Sequence, residues 1–116
     1  MTTIVIFKSN GLYKGFTCMG HAGFDRSGKD IVCAAISILV INTINSIEQL
    51  AKEEIVTDSD ERSGTIECHF PHEVNEKTML LMDSMVLGLK EIEHNYGNYG
   101  KQKKGKKFFE LIIKEV

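Results

Sequence analysis

The chain has 116 residues, of which 42% are hydrophobic and 26% are charged, and it carries a net charge of −2. This length predicts a single domain spanning residues 1–116, and this composition excludes a disordered chain. The net charge excludes a generally basic nucleic-acid-binding protein, although a local basic patch stays open. Three cysteines, Cys18, Cys33 and Cys68, are an odd number, which argues against a disulfide framework and predicts at least one free thiol.

The N-terminal apolar stretch, residues 1–8, has no basic region before it and no small-residue cleavage site after it. It therefore predicts a strand and not a signal peptide. The longest apolar run covers residues 31–41, which is shorter than the roughly twenty residues that a membrane-spanning helix needs. We expect a soluble, cytoplasmic protein with reduced thiols and no membrane partner.

Hydrophobic periodicity and turn residues predict seven elements. In chain order they are strands 2–8 and 12–20, a helix 31–52, strands 54–58 and 64–70, a helix 75–96 and a strand 108–116. Asn10-Gly11 is a hairpin signal between the first two strands, and Pro71 ends the fourth. The order ββαββαβ predicts an α+β fold with a mostly antiparallel sheet packed with two long helices.

Each predicted helix has an apolar stripe at helical spacing that we expect to form the core. The stripe residues are Ile36, Val40, Ile44, Ile47 and Ala51 in the first helix, and Met82, Met85, Val86, Leu89, Ile92 and Tyr96 in the second. The first half of the first helix is apolar all round, which is more than one sheet face can cover. We therefore expect a partner, and a twofold homodimer is the commonest solution.

The chemistry of the chain concentrates at the start of the first helix. With Asp30 as the N-cap, Cys33 lies in the first turn, where the helix dipole favours a thiolate, so we expect a lowered pKa for this thiol. His21 precedes the short loop that leads to the helix. A Cys–His pair is the minimum for nucleophilic acyl transfer, with the thiolate attacking and the imidazole delivering a proton to the leaving amine.

Neighbouring residues have alternative interpretations. Cys33 is also compatible with a small buried hydrophobic side chain, which is the usual role of a cysteine in an apolar helix. Asp30 can cap the helix or orient His21, and Ser37 can bond to the site or to the carbonyl of Cys33. Gly23 and Gly28 flank a polar loop that is either a lid closed by substrate or an ordinary surface loop.

The segment resembles the ribosomal-processing cysteine protease family, usually called Prp. The matching motif is Gly20-His21-Ala22-Gly23, followed by Asp30-Ile31-Val32-Cys33-Ala34-Ala35 and by Ser37. The resemblance implies His21 as the catalytic histidine and Cys33 as the nucleophile, with supporting places for Asp30 and Ser37. The implied substrate loop contains Gly20, Ala22, Gly23, Phe24 and Gly28, with Phe24 where relatives often have tyrosine.

The resemblance also implies a defined activity. Family members remove a short N-terminal extension from a large-subunit ribosomal protein, number twenty-seven, by cleaving after a Phe-Phe pair. The family is α+β and homodimeric, its His-to-Cys loop closes on substrate, and no cofactor is implied. The precursor of the ribosomal protein is thus the expected partner.

Two rival functions are open on the residues alone. Five lysines, Lys101, Lys103, Lys104, Lys106 and Lys107, lie near tyrosines, as in modules that bind single-stranded RNA or the ribosome. A solvated loop is the favoured interpretation of these lysines, given the negative net charge. Cys18, His21 and Cys33, with Cys68, His69 or His72, supply enough ligands for a metal, but the paired spacing of a zinc module is missing, so we expect no metal.

Overall fold

A computed structural model of the chain describes residues 2–20, 29–60, 62–97 and 109–116. The elements are β1 (Thr2–Ser9), β2 (Leu12–Met19), α1 (Lys29–Gln49), β3 (Val56–Asp60), β4 (Thr65–His69), α2 (Glu76–Ile92) and β5 (Phe109–Glu115). A π-helical turn, Glu93–Gly97, extends α2. The predicted α+β class and the order ββαββαβ are confirmed.

A hairpin joins β1 and β2. The turn residues Asn10 and Gly11 have φ values of 53° and 80°, which is the pair of positive φ angles that a type I′ turn requires. The turn therefore confirms the hairpin that Asn10-Gly11 predicts. The register of the two strands shifts between Phe7 and Lys8, so a bulge interrupts the ladder close to Gly15.

The sheet has the strand order β3-β4-β2-β1-β5. The pairs β1–β2, β2–β4 and β3–β4 are antiparallel, and β1–β5 is parallel. The mostly antiparallel sheet is thus confirmed, with one parallel pair that local patterns do not predict. β1 is a central strand, because β2 and β5 bond to its two edges.

The core lies between one face of the sheet and the two helices. Along β1 the buried residues alternate, with Ile4 and Ile6 pointing to the same side as Thr2. Most of the predicted helix stripe is buried against them: Ile36, Val40, Ile47, Ala51, Met82, Met85, Val86 and Leu89. Ile44 and Ile92 are half-buried at the margin of this core.

Helix α1 differs from its prediction at both ends. It begins at Lys29 and ends at Gln49, not at residues 31 and 52. Asp30 is therefore inside the first helical turn and is not the N-cap, because a capping residue precedes the first helical residue. The expectation that Asp30 caps this helix is wrong, and Cys33 is the fifth helical residue.

Residues Ile31–Gln49 of α1 are long and apolar enough, by length and composition alone, to cross a membrane. The core helix of a soluble protein passes the same test. One side of α1, with Val32, Ile36 and Val40, is buried in the core. The absence of a membrane partner stays a prediction.

Candidate active site

Cys33 lies in the second turn of α1, with its side chain turned toward the sheet. Its exposed fraction is 7%. The Sγ atom lies 3.6 Å from the hydroxyl oxygen of Thr2, the first residue of β1, and either atom can be the donor. The thiol is therefore held at one end of β1 and is almost completely buried.

The other two thiols are buried deeper and are held in the neutral form. Burial raises the pKa of Cys18 to about 12, and the neighbouring Cys33 adds to the rise because two thiolates would repel each other. Burial likewise raises the pKa of Cys68 to about 12. All three cysteines are free. Cys18 and Cys68 thus belong to the core, and neither is suited to act as a nucleophile at neutral pH.

The polypeptide leaves the sheet at the same end. Met19, the last residue of β2, pairs with Thr3 of β1. Gly20 follows with φ of 82°, a left-handed conformation that turns the backbone away from the strand direction. The end of β2 is thus one strand away from the point where β1 meets Cys33.

Several predicted site residues lie outside the described part of the chain. They are His21, Ala22, Gly23, Phe24 and Gly28, together with the side chain of Asp30. The predicted lid and the lysine cluster, residues 101–107, also lie outside it. Ser37 is described and half-buried, one helical turn after Cys33 on the same face of α1. The roles of these residues stay predictions.

Two of the described histidines, His69 and His72, lie on or just after β4. His72 is at the surface, with its Nε2 atom 3.3 Å from the Glu54 carboxylate, and His69 is exposed at the end of β4. Within residues 2–20, 29–60, 62–97 and 109–116, no group of three or more histidine, cysteine or acidic side chains is arranged to hold a metal ion.

Sequence reasoning missed Thr2. It lies 31 positions before Cys33 in the chain and belongs to no motif. The alternation along β1 could have placed its side chain on the core side, since it is two residues before Ile4. No local pattern could have paired it with a helix that begins 27 residues later.

Comparison with known proteins identifies the class. Residues 1–101 match the profile of a family described as Cysteine protease Prp, so the free thiol on α1 belongs to a cysteine protease. The chain is a member of the Prp family. The resemblance found in the His-Ala-Gly and Asp-Ile-Val-Cys motifs is thereby confirmed.

Individual relatives agree with this assignment. The ribosomal processing cysteine protease Prp of Bacillus subtilis is 34% identical over 85 residues, which cover 70% of this chain and 76% of the relative. A Streptococcus mutans structure, SMU.848, has a TM-score of 0.84 at 27% identity and covers 100% of this chain and 96% of its own. The Staphylococcus aureus Prp in complex with a substrate peptide has a TM-score of 0.82 at 23% identity. The match covers 98% of this chain and 100% of the S. aureus chain. This last likeness shows the shared fold.

Proposed function

We propose that this protease removes the N-terminal extension of large-subunit ribosomal protein twenty-seven by cleavage after a Phe-Phe pair. In this proposal the Cys33 thiolate attacks the scissile carbonyl, and His21 takes the thiol proton and later gives it to the leaving amine. Water then hydrolyses the thioester and releases the N-terminal extension as its free acid. Cys33 is free again at the end of the cycle.

The observation that carries this proposal is the convergence of two segments at one end of the sheet. Cys33 contacts Thr2 of β1, and β2 ends beside β1 at Met19, opposite Thr3. His21 is the second residue after Met19, and consecutive Cα atoms are about 3.8 Å apart. A backbone connection this short supports a His21 imidazole within reach of the Cys33 thiol.

The state of the other thiols supports the choice of nucleophile. Cys18 and Cys68 are held neutral by burial, with pKa values of about 12. Cys33 is the most exposed of the three cysteines. It also lies in the Asp-Ile-Val-Cys motif that the chain shares with its family.

The substrate assignment rests on the family. The B. subtilis relative is named a ribosomal processing protease, and the S. aureus Prp structure contains a substrate peptide. A ribosomal protein precursor is therefore the natural candidate for this chain. The three free cysteines support a reducing, cytoplasmic location, where such a precursor is made.

The deciding experiment is incubation of the purified protein with the ribosomal protein precursor, followed by intact-mass measurement. We expect one product pair, cut after Phe-Phe, and no product from Cys33→Ala or His21→Ala. The Cys68→Ala variant is the matched control, since it also loses a thiol but should retain cleavage. Cleavage by Cys33→Ala at the parent rate contradicts the mechanism. Cleavage of a precursor with Ala-Ala in place of Phe-Phe contradicts the specificity.

We also propose that the protein is a homodimer that pairs through α1. Ile31, Ala34, Ile38 and Ile41 form an exposed apolar stripe on this helix, at spacings of three and four residues. Ile38 alone is 71% exposed. Such a stripe is typical of an interaction surface.

Sedimentation velocity at micromolar concentration tests the dimer. We expect a dimer for the parent and a monomer for Ile38→Lys. Leu80→Lys is the matched control, because Leu80 on α2 is 70% exposed and lies outside the stripe. A monomeric parent contradicts the dimer. Dissociation by Leu80→Lys but not by Ile38→Lys contradicts the proposed surface.

A further inference from the structure

Thr2 is a fully buried polar residue at the candidate active site. Its exposed fraction is 0%, and its hydroxyl oxygen lies 3.6 Å from the sulfur of Cys33. A buried hydroxyl needs a hydrogen-bond partner, because leaving it unpaired costs free energy. The Cys33 thiol is such a partner. The Thr2–Cys33 contact is thus a specific polar interaction inside a mostly apolar core.

The backbone on both sides holds this contact in place. Thr2 pairs with Phe109 of β5 on one side, and the next residue, Thr3, pairs with Met19 of β2 on the other. Strand pairing on both edges leaves the β1 backbone little freedom to move. Threonine is also β-branched, so its side chain has few accessible rotamers. The hydroxyl is therefore prepositioned against a sulfur that is itself fixed on a helix.

A hydroxyl suits both protonation states of the thiol. It can accept a hydrogen bond from the S–H group, and it can donate one to the thiolate by rotating about its C–O bond. A thiolate with an exposed fraction of only 7% loses most of its hydration and needs donors from the protein. Hydrogen bonds to a charged group are stronger than those between neutral groups. The hydroxyl should therefore favour the charged, reactive state.

We propose that Thr2 is a positioning residue for the Cys33 nucleophile. Its hydroxyl fixes the direction of the sulfur in the resting enzyme and donates to the thiolate once the thiol proton has gone to His21. Thr2 keeps its own proton throughout, so it is neither an acid nor a base in the reaction. This inference rests on the proposed role of Cys33 and adds a residue outside the motif that the family resemblance quotes.

Three substitutions separate this role from simple packing. Thr2→Val keeps the shape of the side chain and removes the hydroxyl. Thr2→Ser keeps the hydroxyl and removes the methyl group. Thr2→Ala removes both. If Thr2 only fills space, the valine variant resembles the parent and the serine variant is impaired. If its hydroxyl acts on Cys33, the serine variant resembles the parent and the valine variant is impaired.

The test is the rate at which iodoacetamide alkylates Cys33 between pH 5 and pH 10, measured by mass spectrometry without substrate. We expect Thr2→Val and Thr2→Ala to react about tenfold more slowly at neutral pH and to regain the parent rate at higher pH. Thr2→Ser should stay within about threefold of the parent. An unchanged profile in folded Thr2→Val or Thr2→Ala overturns the inference, as does a serine variant slower than the valine one.

The outcome is independent of the proposed substrate. Alkylation reports on the Thr2–Cys33 contact even if the precursor is not cleaved, whereas the Cys33→Ala cleavage assay tests the nucleophile. Where cleavage is measurable, kcat/KM for Thr2→Val should fall by a similar factor and recover in Thr2→Ser. Thermal melting of each variant identifies any that does not fold, and the remaining hydroxyl-free variant then decides the question.

Discussion

The hydroxyl of Tyr13 on β2 donates a hydrogen bond of 2.5 Å to the carboxylate of Asp83 on α2. Tyr13 is almost fully buried, and the ammonium group of Lys8 lies 4.7 Å from the centre of its ring. Burial, this hydrogen bond and the Asp83 charge all raise the pKa of the Tyr13 phenol. The bond is a polar connection between the sheet and α2, far along β1 from the candidate active site.

Removing the phenol hydroxyl should destabilise the fold without touching the Cys33 thiol. We expect Tyr13→Phe to lower the free energy of unfolding by about 1–2 kcal/mol, because it removes a hydrogen bond to a charged carboxylate. Urea unfolding measures the change. In a double-mutant cycle with Asp83→Ala, the two losses should add up to more than the loss in the double variant. Strict additivity would show that the two groups do not interact.

Gly15 allows close approach between β2 and β4. Its φ is 154°, and a Cβ atom there would lie 2.4 Å from the carbonyl oxygen of Cys68. We expect Gly15→Ala to cost about 2–4 kcal/mol of unfolding free energy, because backbone must shift on one side. Gly11→Ala is the matched control: Gly11 also has positive φ, 80°, but nothing lies within 4 Å of its Cβ position. Its loss should be only about 1 kcal/mol, and equal losses at the two sites would contradict the steric explanation.

The three cysteines should differ in reactivity in the native protein. At pH 8 we expect iodoacetamide to modify Cys33 first, because the raised pKa values of Cys18 and Cys68, about 12 each, keep those thiols protonated. Peptide mass mapping at successive times gives the order. In urea all three should react at similar rates. Modification of Cys68 as fast as Cys33 in the native protein would contradict this expectation.

Buried neutral thiols make the fold sensitive to alkaline pH. The pKa of Cys68 rises from 9.0 to about 12 on folding, so the folded state favours the neutral thiol. This contribution to stability is fully present below pH 9 and is lost progressively as the pH rises toward 12. We expect the Tm of the parent to fall more steeply than that of Cys68→Ala between pH 9 and pH 11. The two curves should run parallel below pH 8, and parallel curves up to pH 11 would exclude this contribution.

Asn75 caps α2 and also ties it to the end of α1. Its side-chain oxygen accepts from the Thr78 N–H at 2.9 Å, and its amide donates to the Ala51 carbonyl at 3.0 Å. Asn75→Ala should cost about 1–2 kcal/mol in urea unfolding, because both bonds are lost. Asn75→Asp, which keeps the cap acceptor, should cost less. A larger loss for aspartate than for alanine would contradict the capping role, because both variants lose the bond to Ala51 and only aspartate keeps the cap acceptor.

Local patterns predicted most of the fold because most of its elements have local signals. Asn10-Gly11 marked the hairpin, and the apolar stripe with Met82, Met85 and Leu89 marked the buried side of α2. The parallel pairing of β5 with β1 could not be predicted in this way, since it joins residues more than a hundred positions apart. The start of α1 at Lys29 was missed because the aspartate one residue later is also a favourable capping residue.

For the candidate site, sequence reasoning placed Cys33 near the start of α1, as the structure has it, and it assigned the family correctly. The role of Thr2 depends on a tertiary contact between β1 and α1, and no spacing rule records such a contact. Motifs identify the reacting groups because chemistry restricts residue type. The groups that hold them in place are set by packing, where many residue types are acceptable.

The parallel pairing of β1 with β5 has a consequence for synthesis of the protein. Thr2 pairs with Phe109, so the strand that carries the proposed support of the nucleophile acquires its second neighbour only when the last strand has been made. Until β5 has been synthesised, β1 lacks its parallel neighbour. The pairing of Thr2 with Phe109 must wait for β5, because such a non-local pairing cannot precede its own residues. The proposed support of Cys33 by Thr2 therefore depends on a strand that is synthesised more than a hundred residues after Thr2 itself.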